Sequence, residues 1–329
     1  MAPSRARHWA QLGEAGAMLG LRALLFIYRR FGRWPFRALL LPVMAYFYLC
    51  RGVARRASQE FLERLVGPAG RVARHGRSFR HFVDFGECVL DKLLAWSGEL
   101  PLDAVRLHGV EPLLAQLAGG QGALLLLTHL GNPEVSRALG KRQAGFKMTV
   151  LMHTKHASRF NRLLATLSPE SQIDLIQVTE VTAATAILLK ERIARGEAVA
   201  IAADRVPVSA DPRVVMAPFL GPPAPFPVGP FLLGSLLGCP AYLVVCLRLA
   251  DGYHTYVEPF ALPPDLPRSR REAILAEAAA RFAARLEYYC RLAPFQWFNF
   301  YPFWAWSSAG GPPARESRTV RLESGTGAP

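Results

Sequence analysis

The sequence predicts an α/β fold: a mostly parallel central sheet flanked by helices, preceded by a basic, apolar helical segment. Three observations predict it. Short apolar runs bounded by glycine and turn residues recur along the chain, a stretch of helical composition lies between two of them, and the positive charge is concentrated in the first quarter. With 329 residues, 51% hydrophobic and 19% charged, the chain can build one large domain or two, and it is not globally disordered. Its five cysteines form no C-x-x-C pair, which excludes a disulfide scaffold and a conventional zinc ribbon.

The N-terminal part comes first in the argument. Apolar runs cover residues 15–28, interrupted by Arg22, and 38–50, interrupted by Pro42; each is shorter than the ~20 residues a spanning helix needs. Arginines and aromatics lie between and after them, as at headgroup depth. Residues 1–80 hold fifteen arginines against three glutamates, which is +12 of the formal +14. Basic charge beside apolar helices suits an anionic cytoplasmic leaflet. Residues 1–57 therefore read as a monotopic membrane anchor, and the same residues also fit a pair of helices packed on the following domain. No nucleic-acid module accompanies the charge.

Residues 58–306 read as the α/β domain. Buried strands are expected at 123–128, 148–152, 173–178, 198–203 and 242–247, with a helix at 181–195 closed by Gly196. Residues 254–258 suggest a further strand, antiparallel to its neighbour through the Asp251-Gly252 turn. Residues 269–292 form a long helix with Leu275, Ala278, Phe282, Leu286 and Tyr289 on one stripe, started by Ser269 and Glu272 at capping-box spacing. An aromatic segment runs to Trp306, and residues 307–329 read as a disordered tail.

The sharpest constellation is His129-Leu130-Gly131-Asn132-Pro133-Glu134. His129 closes a buried strand, the edge where open α/β sheets place ligands. Asn132 and Pro133 look like an N-cap and a first helical residue, which sets Glu134 in the first turn, where the helix dipole favours a carboxylate. Such a carboxylate can fix one imidazole nitrogen and leave the other as a base for a hydroxyl proton. The alternative reading is a histidine packed at a strand end beside a glutamate that only caps a helix. No G-x-S-x-G elbow, P-loop or dinucleotide fingerprint competes, and no acid or cysteine near His153 and His156 completes a metal set. Asp204 and Arg205 end another strand at the same edge, followed by a proline- and glycine-rich loop through Gly221 and Gly229.

Together these blocks resemble the lysophospholipid acyltransferase superfamily, and within it the bacterial lipid A biosynthesis lauroyl and myristoyl acyltransferases and a predicted-acyltransferase branch. The similarity rests on His129 to Glu134, Asp204-Arg205, Phe219 to Pro230 and Phe295-Gln296-Trp297-Phe298, in that order over roughly residues 7–306. It implies a cytoplasmic-face, inner-membrane enzyme with no bound cofactor and no metal. That enzyme would move a fatty acyl group from acyl carrier protein, or less readily coenzyme A, to a lipid or glycolipid hydroxyl. His129 would be the general base and Glu134 its orienting carboxylate; Asn132, Arg159, Asn161, Asp204, Arg205, Gly221 and Gly229 would contact substrate. Acyl carrier protein and anionic lipids are the implied partners. Val228 and Pro230 stand where glycerol-phosphate enzymes carry an acid and a threonine, and Asn299-Phe300-Tyr301 stand where lipid A enzymes carry basic residues. These departures point to an acceptor other than lipid A. The other readings are a membrane-bound lipid-binding scaffold that does no chemistry, and a lipid hydrolase that uses His129 on water.

Overall fold

A computed structural model describes residues 25–142, 146–152, 173–177, 182–206, 212–264 and 266–305. Three helices lead: α1 (Arg33–Cys50), α2 (Gly52–Val66) and α3 (Arg71–Trp96). There follow β1 (Arg106–His108), α4 (Glu111–Ala118), β2 (Ala123–Gly131), α5 (Pro133–Arg142), β3 (Met148–Met152), β4 (Ile173–Gln177), α6 (Ala183–Ala194) and β5 (Ala198–Ala202). The chain continues with β6 (Val214–Pro218), β7 (Pro223–Pro227), α7 (Gly229–Leu237), β8 (Ala241–Leu249), β9 (Gly252–Pro259) and α8 (Arg271–Leu292).

Seven strands form one sheet in the order β1-β9-β8-β2-β5-β3-β4, and only the β8–β9 pair is antiparallel. The fold is therefore the mostly parallel α/β sheet the sequence predicts. The leucine run makes β2 a central strand buried on both faces. Leu124 and Leu126 belong to one core with Phe231, Phe282 and Leu286; Leu125 belongs to another with Leu113, Met148 and Val244. The predicted stripe of α8 is buried throughout, but the helix begins at Arg271 without a side-chain cap, so Ser269 does not start it. The helix expected at 181–195 spans Ala183–Ala194, where the Thr182 hydroxyl accepts from the Thr185 N–H.

Pro42, which interrupts the apolar run, lies inside α1 and the helix continues through it. A proline removes one helical hydrogen bond, yet Phe36, Leu40, Met44 and Tyr48 still form a buried stripe at four-residue spacing. They pack on α3, where a Cβ on Gly86 would come within 2.7 Å of Leu40 Cδ1. The break falls at Arg51, and α1 and α2 meet at 97°. The loop expected before Gly229 contains the β6–β7 hairpin. Pro223, Pro225 and Pro227 occupy alternate positions of β7, leaving Ala224 and Phe226 to supply N–H groups to the ladder.

Part of the N-terminal positive charge is used inside the protein. Arg33 pairs with Asp91 and Arg37 with Glu87, fastening α1 to α3, and Arg29, in the helical stretch at 25–31, pairs with Glu99 just beyond the end of α3. Arg248 of β8 reaches the same Glu87 and Asp91, and Tyr253 donates to Asp91 at 2.7 Å. The opposite face of α1 is apolar and open, with Trp34 80%, Tyr46 63% and Leu49 70% exposed. Among the described residues no single helix is long and apolar enough to cross a membrane; the bent α1–α2 pair passes that test only jointly.

Candidate active site

His129 lies near the C-terminal end of β2, where the register with β8 shifts between Leu127 and Gly131. Gly131 makes the shift possible: its φ is +68°, and a Cβ there would lie 1.9 Å from the Cys246 carbonyl oxygen. The aromatic C-terminal segment closes over this end. Gly131 N–H donates to the Gln296 carbonyl at 2.8 Å, and Phe298 N–H donates to the His129 carbonyl at 3.2 Å. Gln296 is itself held through its side chain, accepting from Arg248 N–H at 2.9 Å and donating to the Arg248 carbonyl at 2.6 Å.

Asp204, two residues beyond the end of β5 at Ala202, is the carboxylate that meets the imidazole. Its Oδ1 lies 2.7 Å from His129 Nδ1, and its Oδ2 accepts from His129 backbone N–H at 2.7 Å and from Trp297 Nε1 at 3.0 Å. The Asp204 side chain has no exposed surface, whereas the imidazole is 36% exposed. Burial works against its charge, but His129, Arg205 and the donated hydrogen bonds outweigh burial and hold the carboxyl below its ordinary range. Three donors therefore converge on an ionised aspartate. It fixes the Nδ1–H tautomer and turns Nε2 outward, and among the described residues Nε2 has no hydrogen-bond partner.

The expected pairing of His129 with Glu134 is corrected by this geometry. The first turn of α5 carries Glu134 toward α3, where Trp96 Nε1 donates to it at 2.9 Å. Lys92 Nζ lies 3.3 Å away and Arg137 Nε 2.6 Å away. Two cations and an indole N–H hold the carboxylate there, and Nδ1 is already engaged by Asp204. Against burial, Lys92 and Arg137 keep Glu134 below its usual carboxyl range.

The remaining sequence-selected residues are distributed as follows. Asn132 precedes α5 but does not cap it through its side chain, since Oδ1 has no partner among the described residues and Nδ2 donates weakly to the Cys88 carbonyl at 3.4 Å. Arg205 Nη2 donates to the Phe298 carbonyl, so this arginine holds the aromatic segment. Gly221, at φ +105°, turns the β6–β7 hairpin, and Gly229 begins α7; neither bonds to His129 or Asp204. Arg159 and Asn161, like His153 and His156, lie outside the described residues. Among the described residues no group of three or more His, Cys, Asp or Glu side chains could hold a metal ion.

Sequence reasoning missed Trp297 as a site residue. Its indole is fully buried among Phe61, Phe219 and Phe303 while its N–H serves Asp204. A buried polar relay fixes it from behind: Ser78 donates to Ser58, which meets His81 Nδ1 at 3.0 Å, and His81 Nε2 meets the Trp297 carbonyl at 3.0 Å. Burial pushes His81 down to about 3, so the folded ring stays neutral where an unfolded one would take up a proton. Stability is therefore lost as pH falls from about 6.5 toward 3, because only the unfolded state binds that proton. Replacing His81 with glutamine, which can still donate to the carbonyl, is expected to flatten the fall in melting temperature over that window. An unchanged slope in the variant would contradict the assignment.

Beside the site an apolar cavity of about 270 Å³ runs along the Leu125 face of the sheet. Pro133, Glu134 and Ser136 line its upper end, near the end of β2; Leu117, Phe146 and Met148 line the end level with Ala123. A family model for the bacterial lipid A biosynthesis acyltransferases matches residues 91–305, a span that includes His129, Glu134, Asp204 and Trp297. No curated protein matches the chain.

Proposed function

We propose, for a chain that belongs to the bacterial lipid A biosynthesis acyltransferase family, that it transfers a fatty acyl group from an acyl thioester to a lipid or glycolipid hydroxyl. The donor is acyl carrier protein, with coenzyme A as the lesser choice, and the reaction occurs at the inner face of the bacterial inner membrane. The observation that carries this reading is the His129–Asp204 pair, in which a fully buried carboxylate takes Nδ1 while the imidazole stays 36% exposed.

In the proposed reaction Nε2 takes the acceptor hydroxyl proton as its oxygen attacks the thioester carbonyl. Asp204 stabilises the imidazolium that results and preserves its orientation. When the tetrahedral intermediate collapses, the C–S bond breaks and the imidazolium returns the proton to the leaving thiolate. The products are an ester and a free thiol, and His129 is again neutral. The cavity would hold the acyl chain; four β2 residues at roughly 3.3 Å each give it a depth of about 13 Å. The exposed aromatic and apolar face of α1, with arginines around it, would rest in the headgroup region.

The test is transfer by the purified full-length protein in lipid nanodiscs, supplied with labelled acyl carrier protein thioesters of graded chain length and with total bacterial lipid extract. A labelled lipid ester, and slow thioester hydrolysis without acceptor, are expected; neither would form on a non-catalytic scaffold. Val150 lines the middle of the cavity, so Val150→Trp is expected to move the preference to shorter chains. An unaltered chain-length profile would remove the cavity from the reading.

A further inference from the structure

The upper end of the cavity carries charge that an alkyl chain does not use. Lys92, Glu134 and Arg137 all line it, two cations against one anion. The Arg137 side chain is 10% exposed, its Nε faces Glu134, and the ring of Trp96 lies 5.6 Å from its Cζ. Although Glu134 Oε2 lies 2.6 Å from Nε, that buried Nε–H makes no hydrogen bond to any described residue. Burial lowers this guanidinium from its ordinary value more than Glu134 raises it. A buried cation with unmet donors is costly, and such groups in folded proteins are ordinarily paired or meet a ligand.

Glu134 cannot complete the pairing. Its two oxygens are divided among Lys92, Trp96 and Arg137, and the guanidinium, which lines the cavity, is still left with a buried N–H that makes no hydrogen bond to the described residues. A neutral head could satisfy one N–H there and leave the unit charge in place. An anion would satisfy both, because a guanidinium fork matches a carboxylate or phosphate with two parallel bonds.

We infer that this end of the cavity binds the anionic head of a single-chain amphiphile, a carboxylate or a phosphate monoester, on Arg137 with Lys92 beside it, while the alkyl chain fills the leucine-lined space below. The inference rests on the reading of the cavity as an alkyl-chain site, and it assigns to that site a ligand other than the thioester. A free fatty acid and the phosphate head of a single-chain lipid share this chemistry.

Equilibrium binding to the full-length protein in phosphatidylcholine nanodiscs, corrected with empty nanodiscs, tests it with three probes: dodecanoate, dodecyl phosphate and dodecanol. At least one anion is expected to bind about tenfold or more tightly than the alcohol, the scale of a charge-assisted hydrogen bond. Tighter binding of dodecanoate identifies a fatty acid site, and tighter binding of dodecyl phosphate a lipid phosphate site. Arg137→Gln is expected to bring the anion and alcohol affinities within a few-fold of each other. Equal affinities for all three probes in the unaltered protein would overturn the inference, and this comparison does not depend on the variant folding. A preserved anion preference in a folded Arg137→Gln protein would overturn it too. His129→Ala is expected to bind the anion unchanged while losing transfer, so the two readings fail separately.

Discussion

Replacing His129 with alanine is expected to lower the transfer rate by about 10³-fold or more, the scale on which a positioned general base contributes. The protein should still fold, because the imidazole is partly exposed and its only hydrogen-bond partner among the described residues is Asp204. Acyl-donor affinity should change little, since the cavity contacts do not include this ring. Single-turnover transfer from a labelled thioester measures the effect. Full activity in the alanine variant would end the proposed mechanism.

The second large effect separates the two carboxylates. Asp204→Asn is expected to cost about 10² to 10⁴ in kcat, as when an orienting aspartate loses control of its histidine. The reason lies in the three donors. An asparagine must place an NH₂ at one of the two oxygen positions. At Oδ2 it would face both His129 N–H and Trp297 Nε1–H. At Oδ1 it donates to Nδ1 instead, which moves the ring proton to Nε2 and removes the base. The second arrangement conflicts with fewer donors, so the variant folds with the wrong tautomer. Glu134→Gln is expected to act differently. It leaves Lys92 and the largely buried Arg137 without their anion, so stability falls by about 1–3 kcal/mol while transfer stays within about tenfold of the parent. Thermal melting alongside kcat separates the two outcomes. The reverse result, a silent Asp204→Asn and a dead Glu134→Gln, would return the dyad to the H-x-x-x-x-E spacing.

Most of the sheet was legible because its strands are apolar runs with turn residues at their ends, and because α8 shows its buried stripe at helical spacing. His129 was legible for a similar reason: a polar residue at the end of a leucine strand stands out. Its partner was not. Glu134 is five residues away and Asp204 is 75, and local spacing favours the nearer acid. What decides is the rotation of α5 toward Lys92 and Trp96, together with the parallel β2–β5 pairing that sets Leu127 opposite Ala202 and so brings Asp204 up beside His129. Neither can be read from a window of the sequence. Trp297 was hidden differently: within an aromatic run its ring reads as core, and only its N–H distinguishes it. Pro42 is carried inside α1 because the stripe that keeps this helix in place is buried against α3, a tertiary contact that overrides local preference.

The most direct test of the central claim is the tautomer of the neutral His129 ring, read from ¹⁵N shifts in the selectively labelled protein. The account predicts a proton on Nδ1, facing Asp204, and a bare Nε2. A proton found on Nε2 would contradict it, because the atom assigned to accept the hydroxyl proton would already be occupied.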